Sequence, residues 1–150
     1  MAHYTQELIS ISHIPKNIRV AFISADFNKK YTDALEEITE EVLTENHFRN
    51  ITKYRVPGAF EIPAMIERVV AKGEVDLIYC FGVVIRGATT HYDYVCNEAA
   101  RGIMEASVRH PDTPIIFGLL TCENIEQVEE RINKNLAISG LNLLAACKEI

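Results

Sequence analysis

The chain has no run of arginine and lysine and no basic stripe. With a net charge of −6, it offers nucleic acid no electrostatic footprint. It has no apolar stretch fit to cross a bilayer: the longest, at 77–85 and 136–147, are too short or too interrupted. The N-terminal segment MAHYTQELISISHIPK lacks a basic region followed by an apolar one, so no signal peptide and no membrane association are expected. Cysteine is sparse and unpatterned. Cys80, Cys96, Cys122 and Cys147 stand far apart without CxxC spacing, which argues against zinc. Without an export signal they imply free thiols in a reduced, cytoplasmic chain. No GxGxxG follows the first strand, where Asp26-Phe27-Asn28 stands instead, and no GxSxG elbow occurs. Those absences argue against a dinucleotide site and a serine nucleophile. Repeats, linkers and low-complexity segments are missing too.

What remains is an ordinary globular composition, 48% hydrophobic and 24% charged over 150 residues. That length predicts one domain, residues 1–150, which buries roughly 70% of the surface its unfolded chain exposes. Residues 1–16 alternate weakly (Leu8, Ile9, Ile11, Ile14) and end at Pro15, as an edge strand, an arm or a partly ordered tail would. The run 18–25 is β-branched and apolar, a strand. A helix is expected over about 30–47, with Leu35, Ile38 and Val42 on one face and an acidic run (Glu36, Glu37, Glu40, Glu41, Glu45) mostly in solvent. A strand at 51–56 leads to the turn Pro57-Gly58. Pro63 suits the first turn of the next helix, which Lys72-Gly73 ends. A fourth strand is expected over 114–120. Asn124 with Gln127 reads as the cap of a further helix, which Gly140 is expected to break before a last helical segment over 141–150.

The centre of the chain is the stretch 75–102. The run 77–85 is almost purely apolar, as a strand covered on both faces must be. Arg86 to Thr90 then crowd small and polar residues where the chain turns. Thr90 and Asp93 have capping-box spacing, placing a helix start at His91. Alternating strands and helices imply a parallel sheet with helices on both sides, in a flavodoxin-like or Rossmann-like layout. In such sheets ligands bind beyond the carboxyl ends of the strands. Phe27-Asn28, Ala59-Phe60-Glu61 and Arg86 to His91 should therefore meet at one rim. A helix start offers an anion free N–H groups and a positive dipole end, and Gly87 allows close approach.

His91 is the best acid–base candidate, since the dipole favours a neutral imidazole that can accept a proton; the plainer alternative is a solvated helix-start histidine. His3, His13, His47 and His110 sit in tail or loop contexts. Phe27 and Phe60 read first as core residues, as an aromatic after a strand usually is, and only second as platforms for a ring. Glu61 suits a helix start or hydroxyl groups of a ligand, and Arg131 is a surface cation or an anion clamp. Cys96 lies roughly 140° around the helix from His91, so a Cys–His pair is not favoured.

The motifs VPGAFEIP at 56–63, GVVIRGATTHYDYV at 82–95 and FGLLTCENIEQVEER at 117–131, with Phe27-Asn28, resemble the lumazine synthase family, the penultimate enzymes of riboflavin biosynthesis. The match covers residues 16–150. The resemblance implies a three-layer, flavodoxin-like sandwich with a four-stranded parallel sheet, to which an N-terminal segment from a neighbouring subunit adds. It implies a transferase that condenses 5-amino-6-ribitylamino-pyrimidinedione with 3,4-dihydroxy-2-butanone 4-phosphate, releasing phosphate and water, with no metal or organic cofactor. Its roles fall on Phe27 (ring stacking), Ala59, Phe60 and Glu61 (ribityl chain and ring), Val84 and Ile85 (ring), Gly87, Ala88 and Thr89 (phosphate) and His91 (proton transfer). Phe117 and Arg131 would come from the adjacent subunit, Arg131 pairing with the phosphate. The implied partners are small-molecule substrates and four further copies in a homo-pentamer; assembly into an icosahedral shell and enclosure of a riboflavin synthase are left open. Ser139 stands where the family often has lysine, and the glycines common between Arg131 and Gly140 are absent, which implies weaker phosphate affinity. Two other readings remain: a scaffold or ligand-binding relative without turnover, and a flavodoxin-like flavin module.

Overall fold

The fold is built around the apolar central strand. In the computed structural model, which describes residues 5–149, it forms as β3, Leu77–Ile85, with its first seven residues buried. His3 and the rest of 1–4, and the final Ile150, lie outside the described residues. Around β3 the chain runs β1 (Val20–Ala25), α1 (Lys29–Glu45), β2 (Ile51–Val56), a 3-10 turn (Ala59–Glu61), α2 (Ile62–Ala71), β3, α3 (His91–Arg109), β4 (Ile115–Cys122), α4 (Ile125–Arg131) and α5 (Asn135–Lys148). The strands are all parallel, in the order β2-β1-β3-β4.

Alternation along each strand sends its apolar side chains to two cores. Phe22, Tyr79, Phe81 and Ile116 pack under α1, α4 and α5 with Leu35, Leu43, Val128, Leu141 and Leu144. Ile23, Ile78, Cys80 and Leu119 pack under α2 and α3 with Ile62, Ile66, Ala99 and Ile103. This is the three-layer α/β sandwich that the sequence implied. Phe22 meets Tyr79 and Phe81 edge-on, with centroids 5.7 and 5.1 Å away. Such pairs add about 0.5–1.5 kcal/mol each beyond area burial. Among the described residues no helix is long and apolar enough to cross a membrane. All four cysteines are unpaired: Cys80 and Cys122 are buried, Cys96 is half-buried and Cys147 exposed.

Two expectations need correction. Gly140 does not break a helix. The chain breaks earlier, where Ile132 turns extended (φ −85°, ψ 94°), and α5 runs through Gly140 unbroken. The glycine is there for space: Tyr79 Oη donates to the Ala137 carbonyl at 2.7 Å, and an added Cβ at Gly140 would collide with that phenol. The acidic run is not wholly solvated either. Glu36 is buried, accepts from Ser24 Oγ, and pairs with Arg55 at 3.1 Å and Lys53 at 3.6 Å. Residues 5–10 form no strand within the chain. They lie along α5, with the Gln6 and Ile9 N–H groups donating to Asn135 and Asn142 Oδ1 at 2.9 and 3.0 Å.

Gly140→Ala should destabilise the protein by about 1–3 kcal/mol through overpacking. Because the clash is with the Tyr79 ring, its Cζ and Cε1 as well as its hydroxyl, Gly140→Ala with Tyr79→Ala should lose less than the sum of the two single losses, as measured by urea unfolding. At the start of the sheet Arg19 binds Asp76 through Nε and Nη2 at 3.0 and 3.1 Å. Those bonds and the Arg19 charge outweigh burial and hold the Asp76 carboxyl below the usual aspartate range. A depressed folded value means stability that is present above the unfolded value of about 3.9 and lost as pH falls through the folded one. Asp76→Asn should flatten that acid limb of a stability-versus-pH curve.

Candidate active site

A difference in strand length opens the pocket. β1 pairs with β3 only as far as Ser24 opposite Phe81, whereas β4 follows β3 to Ile85 opposite Cys122. Beyond Phe81 the edge of β3 that faced β1 has no strand beside it. The ends of β1, β2 and β3 surround this gap with a pocket of about 670 Å³. Its wall includes Phe27, Ala59, Phe60, Glu61, Val84, Ile85, Gly87, Thr89 and His91. The convergence expected at one rim is therefore present. Ala88 shares the same exposed turn without lining the wall.

Phe27 is 72% exposed and Phe60 59%, so neither is a core residue and each ring is available to a ligand. The loop carrying Phe27 is tightly held. Its N–H and that of Asp26 donate to the Pro57 and Val56 carbonyls at 3.0 and 2.8 Å. Asn28 adopts the left-handed conformation (φ 58°, ψ 42°), and its Nδ2 donates to the Val83 carbonyl at 2.7 Å. The asparagine thus fills part of the place that β1 vacates. On the outer side Arg55 bonds Asp26 at 2.9 Å and pairs with Asp33 at 3.1 Å, tying β2 to both ends of the loop. At the next rim segment Ala59 is buried while Phe60 and Glu61 face outward, and Pro63 occupies the first turn of α2 as expected.

The turn 87–90 has few internal bonds. The N–H groups of Gly87, Ala88 and Thr89 donate to nothing among the described residues, and the Thr89 hydroxyl accepts from the His91 N–H at 3.3 Å. α3 starts at His91 as expected, but without the capping box. Thr90 is in a helical conformation (φ −72°, ψ −2°), so its hydroxyl makes no cap, and Asp93 pairs instead with Arg86 at 3.3 Å. At the start of α4 the expected cap is made, with the Gln127 N–H donating to Asn124 Oδ1 at 2.9 Å.

Phe117 and Arg131 are not on this wall. Phe117 lies on edge strand β4, 44% exposed. Arg131 ends α4, half-buried, and its Nη1 donates to the Gln127 carbonyl at 3.0 Å. Sequence reasoning missed other lining residues: Pro57 and Gly58, Val83, and Tyr92, Tyr94 and Val95. The signal for the last two was helical spacing, since residues three and four after His91 share its face. Cys96 offers no ready nucleophile, because burial pushes its thiol up. Among the described residues no cluster of His, Cys, Asp and Glu could hold a metal ion.

A parallel three-layer sandwich with an apolar, aromatic-walled pocket beyond its strand ends defines an α/β protein with a concave site of the kind that takes a small organic molecule. Comparison with known proteins agrees. The family model described as 6,7-dimethyl-8-ribityllumazine synthase matches residues 17–150. A 6,7-dimethyl-8-ribityllumazine synthase of Desulfovibrio desulfuricans is 42% identical over 137 residues, covering 89% of this chain and 86% of that protein. The chain belongs to the 6,7-dimethyl-8-ribityllumazine synthase family, transferases of riboflavin biosynthesis.

Asn28 gives a direct test of how the Phe27 loop is held. Asn28→Ala should cost about 1–3 kcal/mol, the sum of a lost hydrogen bond and a left-handed alanine. Asn28→Gly keeps the backbone and loses only the bond, so its unfolding midpoint should lie between those of wild type and Asn28→Ala.

Proposed function

We propose that the pocket makes 6,7-dimethyl-8-ribityllumazine from 5-amino-6-ribitylamino-pyrimidinedione and 3,4-dihydroxy-2-butanone 4-phosphate. What carries this is one pocket that combines the exposed Phe27 ring with the donor-rich turn Gly87–Thr89 and His91. The pyrimidine would stack on Phe27 against Val84 and Ile85. Its ribityl hydroxyls would meet Ala59, Phe60 and the Glu61 carboxylate. The phosphate would sit on the amides of Gly87, Ala88 and Thr89, at the positive end of a 19-residue helix. The amine attacks the ketone and water leaves as the imine forms; phosphate then leaves and the ring closes. These reactants need alignment more than activation, so positioning both in one pocket supplies much of the rate. His91 transfers protons beside the leaving group.

The site is completed by a neighbour. Phe117 and Arg131 lie away from the chain's own pocket, which supports their serving an adjacent one, Arg131 steadying the leaving phosphate. Met104 and Val108 on α3 are 65% and 73% exposed; a homo-pentamer would cover such a face. In that assembly residues 1–16 would supply the arm, its outer part leaving the α5 contacts it makes within one chain to add to a neighbour's sheet, the rest of 1–150 working as one domain. Four unpaired cysteines support a cytoplasmic setting. Ser139 in place of lysine would leave the phosphate more weakly held.

Purified protein given both substrates should form the lumazine, followed optically, above the uncatalysed rate. His91→Ala and Arg131→Ala should each lower kcat/KM by about tenfold to a hundredfold. Mixing the two weakened variants should restore part of the activity, because a shared site then pairs an intact His91 with an intact Arg131. No recovery on mixing, or only monomer by light scattering, would sink the shared site. The same scattering separates a pentamer from an icosahedral shell, and co-purification would reveal an enclosed riboflavin synthase. A stable oligomer that binds the lumazine without making it would favour the scaffold reading.

A further inference from the structure

Arg86 stands at the anion end of the pocket, next to Gly87, and invites assignment as an anion ligand. Its guanidinium is otherwise engaged. Nε donates to Glu123 Oε1 and Oε2 at 3.0 and 2.8 Å, and Nη2 lies 3.3 Å from Asp93 Oδ1. Its Cζ sits 4.4 Å from the centroid of the Tyr92 ring. Its backbone N–H donates to the Cys122 carbonyl at 2.9 Å, the last rung of the sheet. Glu123 is itself well anchored: its N–H donates to Gln127 Oε1 at 2.7 Å while the Gln127 N–H caps on Asn124. Arg86 therefore joins the end of β3, the first turn of α3 and the corner between β4 and α4.

The turn that follows has nothing comparable. Between Gly87 and Thr90 the only bonds within the described residues are local ones into the first turn of α3. An unanchored turn with unpaired amides must be ordered each time it takes an anion, and that ordering subtracts from affinity. We propose that Arg86 is a positioning residue, which through its clamp on Glu123 and Asp93 holds the amides of Gly87–Thr89 in place for the phosphate-bearing substrate without touching it. The identity of that substrate rests on the function proposed above; the anchoring of the turn does not. Half-exposed ion pairs add little to stability one at a time, so the effect belongs in binding more than in folding.

The decisive variant is Glu123→Gln. If Arg86 contacts the anion directly, freeing it from Glu123 should lower KM for the phosphate-bearing ketone. If Arg86 positions the turn, Glu123→Gln should raise that KM in the same direction as Arg86→Gln, by about tenfold, while KM for the pyrimidine stays within about twofold. Arg86→Lys, which keeps the charge and loses the fork, should resemble Arg86→Gln. The double variant Arg86→Gln with Glu123→Gln should be no worse than either single one. A fall in KM for Glu123→Gln, equal rises for both substrates, or no change would each overturn the proposal. A second arm needs no turnover: inorganic phosphate should shift the Gly87 and Thr89 amide signals of wild-type protein in NMR spectra, with weaker affinity in Glu123→Gln. Wild type that makes no product yet shows those shifts would fail the synthase reading and leave the clamp standing; wild type with no phosphate shifts would overturn the clamp.

Discussion

Strand β3 is bonded along both edges and covered on both faces for most of its length, and it outlasts β1. A buried backbone cannot simply stop; its polar groups must find partners or reach water. Where β1 ends, one edge of β3 still carries carbonyls and amides, and the chain meets that demand in two ways. Asn28 supplies a side-chain donor to Val83, and the remaining edge opens into a pocket for a ligand. The position of the site thus follows from where pairing runs out in the sheet.

On either side of the gap an arginine holds a loop. Arg55 fastens the segment that carries Phe27 to Asp33 and Glu36 on α1, and Arg86 fastens the segment before the amide turn to Glu123 and Asp93. Neither lines the pocket. Such partly exposed pairs contribute little free energy singly. A planar fork bonded to two or three carboxylates nevertheless fixes direction, and direction is what a site needs when its reactants require alignment.

Much of this was legible in the sequence because it depends on local rules. An uninterrupted apolar run meant a strand covered on both sides, Pro63 marked a helix start, and parallel strands brought Phe27, Glu61 and His91 to one rim. The motifs carried the family. What escaped were decisions made by tertiary contact. Gly140 looks like a helix breaker until Tyr79 is placed against it. Thr90 and Asp93 have the spacing of a capping box, but Arg86 competes for the aspartate and wins. Glu36 looks like one more solvated acid until Ser24 and Arg55 reach it from the sheet. In each case the partner lies on another element, so no reading of neighbouring residues could supply it. Phe27 and Phe60 escaped for the same reason: an aromatic after a strand usually turns in, and only the fold shows that these two turn out.

The four cysteines give this architecture an internal clock. They lie on four elements at graded depth: Cys147 in the open on α5, Cys96 half-covered on α3, Cys122 under the sheet edge on β4, and Cys80 at the middle of β3, where burial drives its thiol far from ionisation. Only an exposed, ionised thiol reacts quickly with an alkylating reagent. The order in which the four become labelled is therefore the order in which the layers part, from the outer helix to the central strand. The molecule records its own loosening, one sulfur at a time, without any engineered cysteine.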